Sequence, residues 1–523
     1  LNLFFPHNQP NVYLIDNCGR IVNEWTDEAN FRPGNSVYLL EDGKLVKCKR
    51  DAAIAGDPIW AGGGGEFVEI RDWDNTLLWS FQMNDSLERI HHDVAPMPNG
   101  NILMIAWELK TEAEAIALGR DTALLPEGEL WPDYVLEVKP IGTDSFDVVW
   151  EWHAWDHLIQ DLDSTKLNFG NPADHPERID VNYLGVSGGE ADWMHVNSID
   201  YNADLDQILL SVPEFSEIWI IDHSTTTAEA AGSTGGLSGI GGDLMFRWGN
   251  PEAYGKGDSS DQTLFYQHNA HWMDVELTSA DPDYGKILLY NNRVGADFST
   301  VDVIQPLFVS YDFGYETAGD GTYLPASAEW SYSPTEPSDM YSNILSSAQR
   351  LPNGNTLICS GRPGTTIEVT PDEEIVWEYV NPLQQGNPAT QGDSLALSSN
   401  LMFAMTRYSP AYPGLQGRDL APGDYLELNP DTAACPKGTV GIGPELLAAS
   451  FQYYPNPAHD RLVVEFTNQQ PLPFRILDLS GRTVWEQAEA SIRNIVEVAD
   501  LAPGLYLIQV EGQLAQKVMI QGR

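Results

Sequence analysis

The sequence predicts an all-β protein: a six-bladed β-propeller over residues 1–430, a linker over 431–450 and a small immunoglobulin-like β-sandwich over 451–523. Three observations predict it. A phrase recurs six times, a hairpin at the N-terminus lacks inner strands of its own, and the chain changes character after residue 430.

The recurring phrase reads LLEDGKLVKCKR (39–50), PMPNGNILMIAWE (96–108), NADLDQILLSVPEF (202–215), DPDYGKILLYNNR (281–293), RLPNGNTLICSGR (350–362) and LSSNLMFAMTR (397–407). Each copy is a polar turn or its remnant, a short apolar run and a polar exit. Gly in EDGK, PNGN and DYGK supplies the positive φ of a tight hairpin turn. The apolar runs suit buried strands and are too short for helices. Most copies are followed by an outer hairpin that ends in an aromatic strand: FVEIRDWDNTLLWSF (67–81), YVLEVKPIGTDSFDVVWEW (134–152), IWIID to LMFRWGN (218–250) and TIEVTPDEEIVWEYV (366–380). The same shape stands alone as NVYLIDNCGRIVNEWT (11–26). A ring whose last blade is completed by the start of the chain needs such an orphan, and a stack of separate sandwiches does not. The expectation is that 11–26 pairs beside the strands near 400–428.

After YLELNP the chain turns small and turn-rich over 431–450, as a linker does. Beyond it, FQYYPNPAHDRLVVEF, FRILDLSGRTVWEQ and IVEVADLAPGLYLIQVEG alternate apolar and polar residues at period two. The words YPNPAHDRL, LDLSGRTV and LAPGLYLIQV resemble the C-terminal sorting domain of the type IX secretion system of Bacteroidota. That resemblance implies a secreted or cell-surface protein and the type IX machinery as a partner. Export permits disulfides, and the sequence does not choose among the pairings of Cys18, Cys48, Cys359 and Cys435.

A formal charge of -48, from 28 Lys+Arg against 76 Asp+Glu, argues against nucleic acid and anionic membranes as partners. No apolar run approaches the ~20 residues that cross a bilayer, so membrane insertion is not expected. A homodimer is compatible with the sequence. No CxxC, Walker loop or GxGxxG between strand and helix is present, so neither a metal nor another cofactor is expected. AGGGGEF (61–67) precedes a strand and reads as a loop.

Three blades carry histidine at one repeat position. His195 in WMHVNSIDYN, His268 in QHNAHWMDVE, and His91 with His92 in IHHDVAPM open the strand that precedes an inner apolar run. The first strand of a propeller blade lines the channel, so all three blades aim imidazoles at one funnel. A lone histidine is more often structural; three at one position among eleven in the chain point to chemistry. Strand phase favours His91 over His92. It also sends His271 to the face opposite His268 if the strand is regular. Arg50, Arg293, Arg362 and Arg407 stand at or beside one position after the inner run, where a guanidinium fork would grip an oxyanion. Pairing with the abundant local carboxylates is the alternative.

The words IHHDVAPMPNGN, WMHVNSIDYNADLDQILLS, EIWIIDHSTTT, FRWGNPEAYGKG and LFYQHNAHWMD resemble the bacterial arylsulfate sulfotransferases over most of residues 1–430. The resemblance implies a six-bladed propeller that moves a sulfuryl group from an aryl sulfate to a phenol through a sulfurylated histidine, without metal or nucleotide sulfate donor. It places the nucleophile at His268, sulfate contacts at His195 and Asn197, and a proton carrier at His91 or His92. One departure stands out: the family's Ser-Arg-His becomes SVPEF, with Pro213 at the arginine's place and Glu214 at the histidine's, and Arg293 as the candidate substitute. The departure favours the alternative reading, an inactive propeller that serves as an extracellular binding or structural module.

Overall fold

The computed structural model describes residues 1–52 and 59–432, and in the C-terminal part 451–454, 458–466, 471–477, 482–487, 490–499, 501–502, 504–510 and 516–520. It divides into two compact units, 1–432 and 433–523. The linker expected at 431–450 lies, after Thr432, outside the described residues.

Among the described residues, the first unit holds six four-stranded antiparallel sheets and four two-stranded sheets. In chain order of their first strands, the four-stranded sheets begin at Phe31–Leu39, Glu88–Pro96, Ser198–Asn202, His268–Trp272, Ser347–Arg350 and Met402–Arg407. They are called sheets one to six below. First strands from all six line one cavity of about 300 Å³, through Tyr38, Asp93, Ile199, Ala270, Ala348 and Phe403 among others.

Sheet six differs from the expectation in an instructive way. The sequence reading placed Met402–Arg407 as a second strand with the hairpin 11–26 beside it. Instead Met402–Arg407 is the first strand, and Asn2–Pro6 is the second, with Phe4 opposite Met405. Val12–Ile15 and Ile21–Trp25 follow as third and fourth, and Ile21 N–H also reaches Asp424 O at 2.9 Å. The hairpin therefore joins the last sheet, with one unforeseen strand between. NLFFP is buried on both faces: Leu3 and Phe5 pack with Val37, Leu39 and Leu45 of sheet one, while Phe4 packs with Leu357 and Cys359 of sheet five.

Two sets of side-chain hydrogen bonds tie each sheet to the next. On the inner side, Tyr38 Oη donates to Asp93 Oδ1 (2.7 Å), and the same carboxylate accepts from Ile199 N (3.2 Å). Asp200 accepts from Trp272 N (2.7 Å), Asn269 from Ala348 N (3.3 Å) and Gln349 from Arg407 N (2.7 Å). Tyr408 Oη then accepts from Leu39 N (3.2 Å), which completes the circuit. On the outer side, indole N–H groups of the aromatic fourth strands reach carbonyls of the following sheet: Trp25 to Asp72, Trp79 to Ser145, Trp152 to Gly242, Trp248 to Pro325 and Trp377 to Asn17, at 2.6–2.9 Å. At the remaining junction the Arg350 guanidinium lies 5.0 Å from the Trp330 ring.

Among the described residues, the second unit has a three-stranded and a four-stranded antiparallel sheet. Leu462, Val464, Phe466 and Val496 of one share a core with Phe474, Ile476, Ile508, Val510 and Val518 of the other. Cys18 is disulfide-bonded, Cys48 and Cys359 are free and buried, and Cys435 lies outside the described residues.

Because Phe5 is buried where the two ends of the ring meet, Phe5→Ala should cost about 3–5 kcal/mol in a urea titration. A loss under about 1 kcal/mol would contradict a closure that depends on this strand.

Candidate active site

At one rim of the ring the first strands begin and the second strands end. Here the backbone takes positive φ at His92 (52°), His195 (56°), Asn269 (54°) and Ser346 (91°), in four successive sheets. Such a conformation costs a non-glycine residue of order 1–3 kcal/mol and clusters at functional sites. The effect is to turn imidazoles inward from strands that would otherwise alternate.

The histidines form a run of ring contacts. His91 lies 5.1 Å from His92, His92 4.5 Å from His195, His195 6.3 Å from Tyr266, and Tyr266 5.9 Å from His268, centroid to centroid. The structure thus brings His91, His92, His195 and His268 together. It also reverses one expectation: His92, not His91, is the neighbour of His195. A register shift between Ile90 and Val94 resets the strand phase, and His91 stacks instead on Trp107 at 3.9 Å. His271 lies past another irregularity, between His268 and His271. Its Nδ1–H donates to Asn269 O (2.9 Å), and it lines the axial cavity rather than this rim.

The hydrogen-bond network decides the tautomer of His268. Asn292 donates through Nδ2 to Ser342 O (2.8 Å) and Leu345 O (2.9 Å), so its Oδ1 is the atom that faces His268 Nδ1 at 2.9 Å. Nδ1 must carry the proton, and Nε2 keeps a lone pair. That lone pair accepts only a long 3.2 Å bond from Leu345 N–H. Burial, reinforced by the charges of His195 and Arg293, pushes His268 down to about 3.

His195 has the opposite character. Burial would lower it, but Asp192, which pairs with its Nδ1, and then Glu214 outweigh burial and hold it up at about 9. At neutral pH the site therefore holds an imidazolium and a neutral imidazole, with Tyr266 between them. Burial drives His91 and His92 well below the usual histidine range. Their Nδ1 atoms face each other at 2.9 Å. His91 Nε2 sits 2.7 Å from Asp133 Oδ1, though off the direction of a hydrogen bond.

Arg293 places its guanidinium 3.4 Å from the Tyr266 ring centroid and donates through Nε to Asn343 O (3.0 Å). Arg362 binds the same loop through Asn343 Oδ1 (2.7 Å) and a second loop through Ser398 Oγ (3.1 Å). Arg50 lies 5.0 Å from the Trp60 ring, which Arg89 approaches at 4.7 Å. Arg407 does not share this locus. It ends a first strand, so it lies at the opposite rim, paired with Glu368 and donating to Asn2 Oδ1 (2.7 Å). Asn197 is fully buried behind the site, where Nδ2 donates to Gln267 O (2.8 Å), one residue before His268.

Several residues of the site escaped the sequence reading: Trp107, Asp133, Asp192, Tyr266, Asn292 and the glycine loop. A Cβ on Gly63 would fall 2.1 Å from His92 Nε2, and one on Gly62 would fall 3.7 Å from His195 Cε1. The AGGGGEF loop thus does precede a strand, and it also walls the histidines, because only glycine lets the backbone approach this closely.

A family model for arylsulfotransferase (ASST) matches residues 2–395. The chain belongs to the arylsulfotransferase family. A second model, for a secretion system C-terminal sorting domain, matches residues 452–521, so this family member is exported, either secreted or held at the cell surface. No curated protein matches the chain. Similar solved structures include a Bacteroides caccae protein of unknown function (11% identity, TM-score 0.41, covering 77% of this chain and 97% of that one). Apo AztD from Citrobacter koseri is another (9%, 0.32, 77% and 96%), and so is a putative 6-phosphogluconolactonase from Bacteroides uniformis (10%, 0.31, 72% and 96%). Likeness at this level carries no argument about chemistry. Among the described residues, no helix is long and apolar enough to cross a membrane, and no group of three or more His, Cys, Asp or Glu is placed to hold a metal ion.

The opposed shifts make a testable pair. The His195 contribution to stability is present below its unfolded value near 6.5 and is lost as pH rises through about 9. His268 acts in reverse: its neutral burial opposes folding as pH falls below about 6.5. Imidazole NMR of histidine-labelled protein between pH 5 and 8 should show His195 doubly protonated and His268 as the Nδ1–H tautomer throughout. Titration of His268 near 6.5 would contradict the geometry.

Proposed function

We propose that this protein is an exported aryl-sulfate sulfotransferase that works by way of a sulfurylated His268. The six sheets are then the blades of one propeller, supported by their common cavity and the closing strand. The C-terminal unit is an immunoglobulin-like sandwich, supported by its two facing sheets.

The observation that carries the reading is the neutral imidazole of His268 beside the cationic His195 and Arg293. A sulfate ester is an anion with an electrophilic sulfur. The two cations draw it in and stabilise its non-bridging oxygens as charge redistributes. The Nε2 lone pair attacks sulfur, and the S–O bond to the aryl oxygen breaks. Attack replaces the long bond from Leu345 N–H, which leaves that N–H for a sulfuryl oxygen. Asn292 holds the Nδ1 proton and stabilises the positive ring of the adduct. A phenol oxygen then attacks the same sulfur from the vacated side, and His268 leaves as a neutral imidazole. One difficult displacement becomes two easier ones. Asn197 acts through the backbone ahead of His268, which it holds by its bond to Gln267 O. Arg50 and Arg362 add positive potential for aryl sulfates.

A second reading, an inactive binding module, is favoured by Pro213 in the place of the family arginine. Steady-state kinetics separate the two. With 4-nitrophenyl sulfate as donor and phenol as acceptor, double-reciprocal plots at several acceptor concentrations should be parallel, as expected for a covalent intermediate. His268→Asn should lower transfer by about 10³-fold or more, while His271→Asn keeps most of it. Intersecting lines, or turnover that survives in His268→Asn, would contradict the proposal, and no turnover with any donor would favour the binding module.

A further inference from the structure

The transfer just described needs a proton carrier at the aryl oxygen, and none of the four histidines suits the task. His195 is held as a cation by Asp192. His91 and His92 turn their Nδ1 atoms to each other, and the far side of His91 faces Asp133. His92 Nε2 is walled by Gly63. His268 gives its proton to Asn292 and its lone pair to sulfur.

Glu214 is another candidate, in the turn between the second and third strands of sheet three. Its backbone is clamped, with N–H donating to Met194 O (3.4 Å) and the carbonyl accepting from Val186 N–H (2.9 Å). A Cβ on Gly185 would lie 1.8 Å from that carbonyl oxygen, so the neighbouring loop holds the turn closely. The tight turn begun at Pro213, whose carbonyl accepts from Ser216 N–H (2.9 Å), directs the side chain inward. Glu214 is 8% exposed, and Oε2 is buried without a hydrogen-bond partner. A buried carboxyl oxygen left unpaired is costly unless a ligand meets it. The Tyr266 hydroxyl is the hydrogen-bonding neighbour of this carboxyl, and the charges that act on it are the His195 imidazolium, the Asp192 carboxylate and the Arg293 guanidinium. Two of them, His195 and Arg293, are the cations that hold the sulfate in the transfer proposed above.

We propose that Glu214 is a catalytic residue that carries the aryl proton, donating it to the oxygen that leaves sulfur and taking it from the incoming phenol. The proposal rests on the sulfuryl-transfer reading and gives the Pro-Glu departure a role. In the first step the carboxylic acid, the neutral His268 and the aryl sulfate anion become a carboxylate, a zwitterionic N-sulfuryl imidazolium and a neutral phenol. In the second step the carboxylate takes the acceptor proton as the acceptor oxygen binds sulfur, which regenerates acid and imidazole. Burial is the main cause that raises Glu214 to about 7, with Asp192 adding to it against His195 and Arg293. Both protonation states are therefore populated at neutral pH, as a carrier that alternates between acid and base requires.

The test uses two donors in the full chain. 4-Nitrophenolate is a weak base and leaves without help, whereas phenolate needs a proton. Phenol released in the first turnover, without acceptor, is measured for wild type, Glu214→Gln and Glu214→Asp. Glu214→Gln should release 4-nitrophenol within about threefold of wild type but release phenol from phenyl sulfate about 10²–10³-fold more slowly. It should also lose the limb of the phenyl sulfate pH profile near pH 7, and Glu214→Asp should restore part of the rate. Equal losses with both donors, or an unchanged pH profile, would overturn the role of Glu214 alone. Wild type that releases a first-turnover phenol from neither donor would overturn the transfer reading and this proposal with it.

Discussion

The structure of the first unit depends on closing a ring with a strand from the opposite end of the chain. Asn2–Pro6 pairs with Met402–Arg407 and is buried from both sides. Each sheet leans on the next through side-chain hydrogen bonds at or beside the inner strands, from Tyr38–Asp93 round to Tyr408–Leu39. An open arc would leave its two end sheets with unmatched apolar faces and unpaired edges. Closure is thus what makes six first strands share an axis, and it is why one rim can gather side chains from residues 60 to 400.

That rim uses its buried position to drive two imidazoles apart. The same desolvation acts on both. Asp192 reverses it at His195, while Asn292, wedged between two carbonyls, gives no charge to His268 and only orients it. Pairs of titratable groups pushed apart by their surroundings are a usual mark of divided chemical roles. The positive φ angles at His92, His195 and Asn269 show the cost accepted by the backbone to set these side chains inward.

Much of this was legible in the sequence. Glycine turns followed by short apolar runs located the second strands, and histidines at one repeat position marked the rim. What was not legible has physical reasons. First and second strands are both short apolar runs, so LMFAMTR was indistinguishable from a second strand, and Arg407 was assigned to the wrong end of its sheet as a result. NLFFP is a five-residue run buried at every position, without the period-two alternation that marks a strand. The shift between Ile90 and Val94 arises from φ angles that histidine carries without any mark in composition, so phase counting chose His91 over His92. Asn292 and Tyr266 belong to the site through tertiary contacts alone, while Asp192, three residues before His195, offered the one spacing that local reading could have used. The Pro213–Glu214 departure was visible at once, but its meaning required the buried, unpartnered Oε2.

The central claim is that His268 Nε2 is the atom that receives the sulfuryl group. Mass spectrometry of protein exposed briefly to an aryl sulfate without acceptor, digested without acid, tests it directly. One added sulfuryl group should appear on the peptide that contains His268 and disappear when a phenol is supplied. A sulfuryl group on any other residue, or steady transfer with no adduct trapped, would contradict the account.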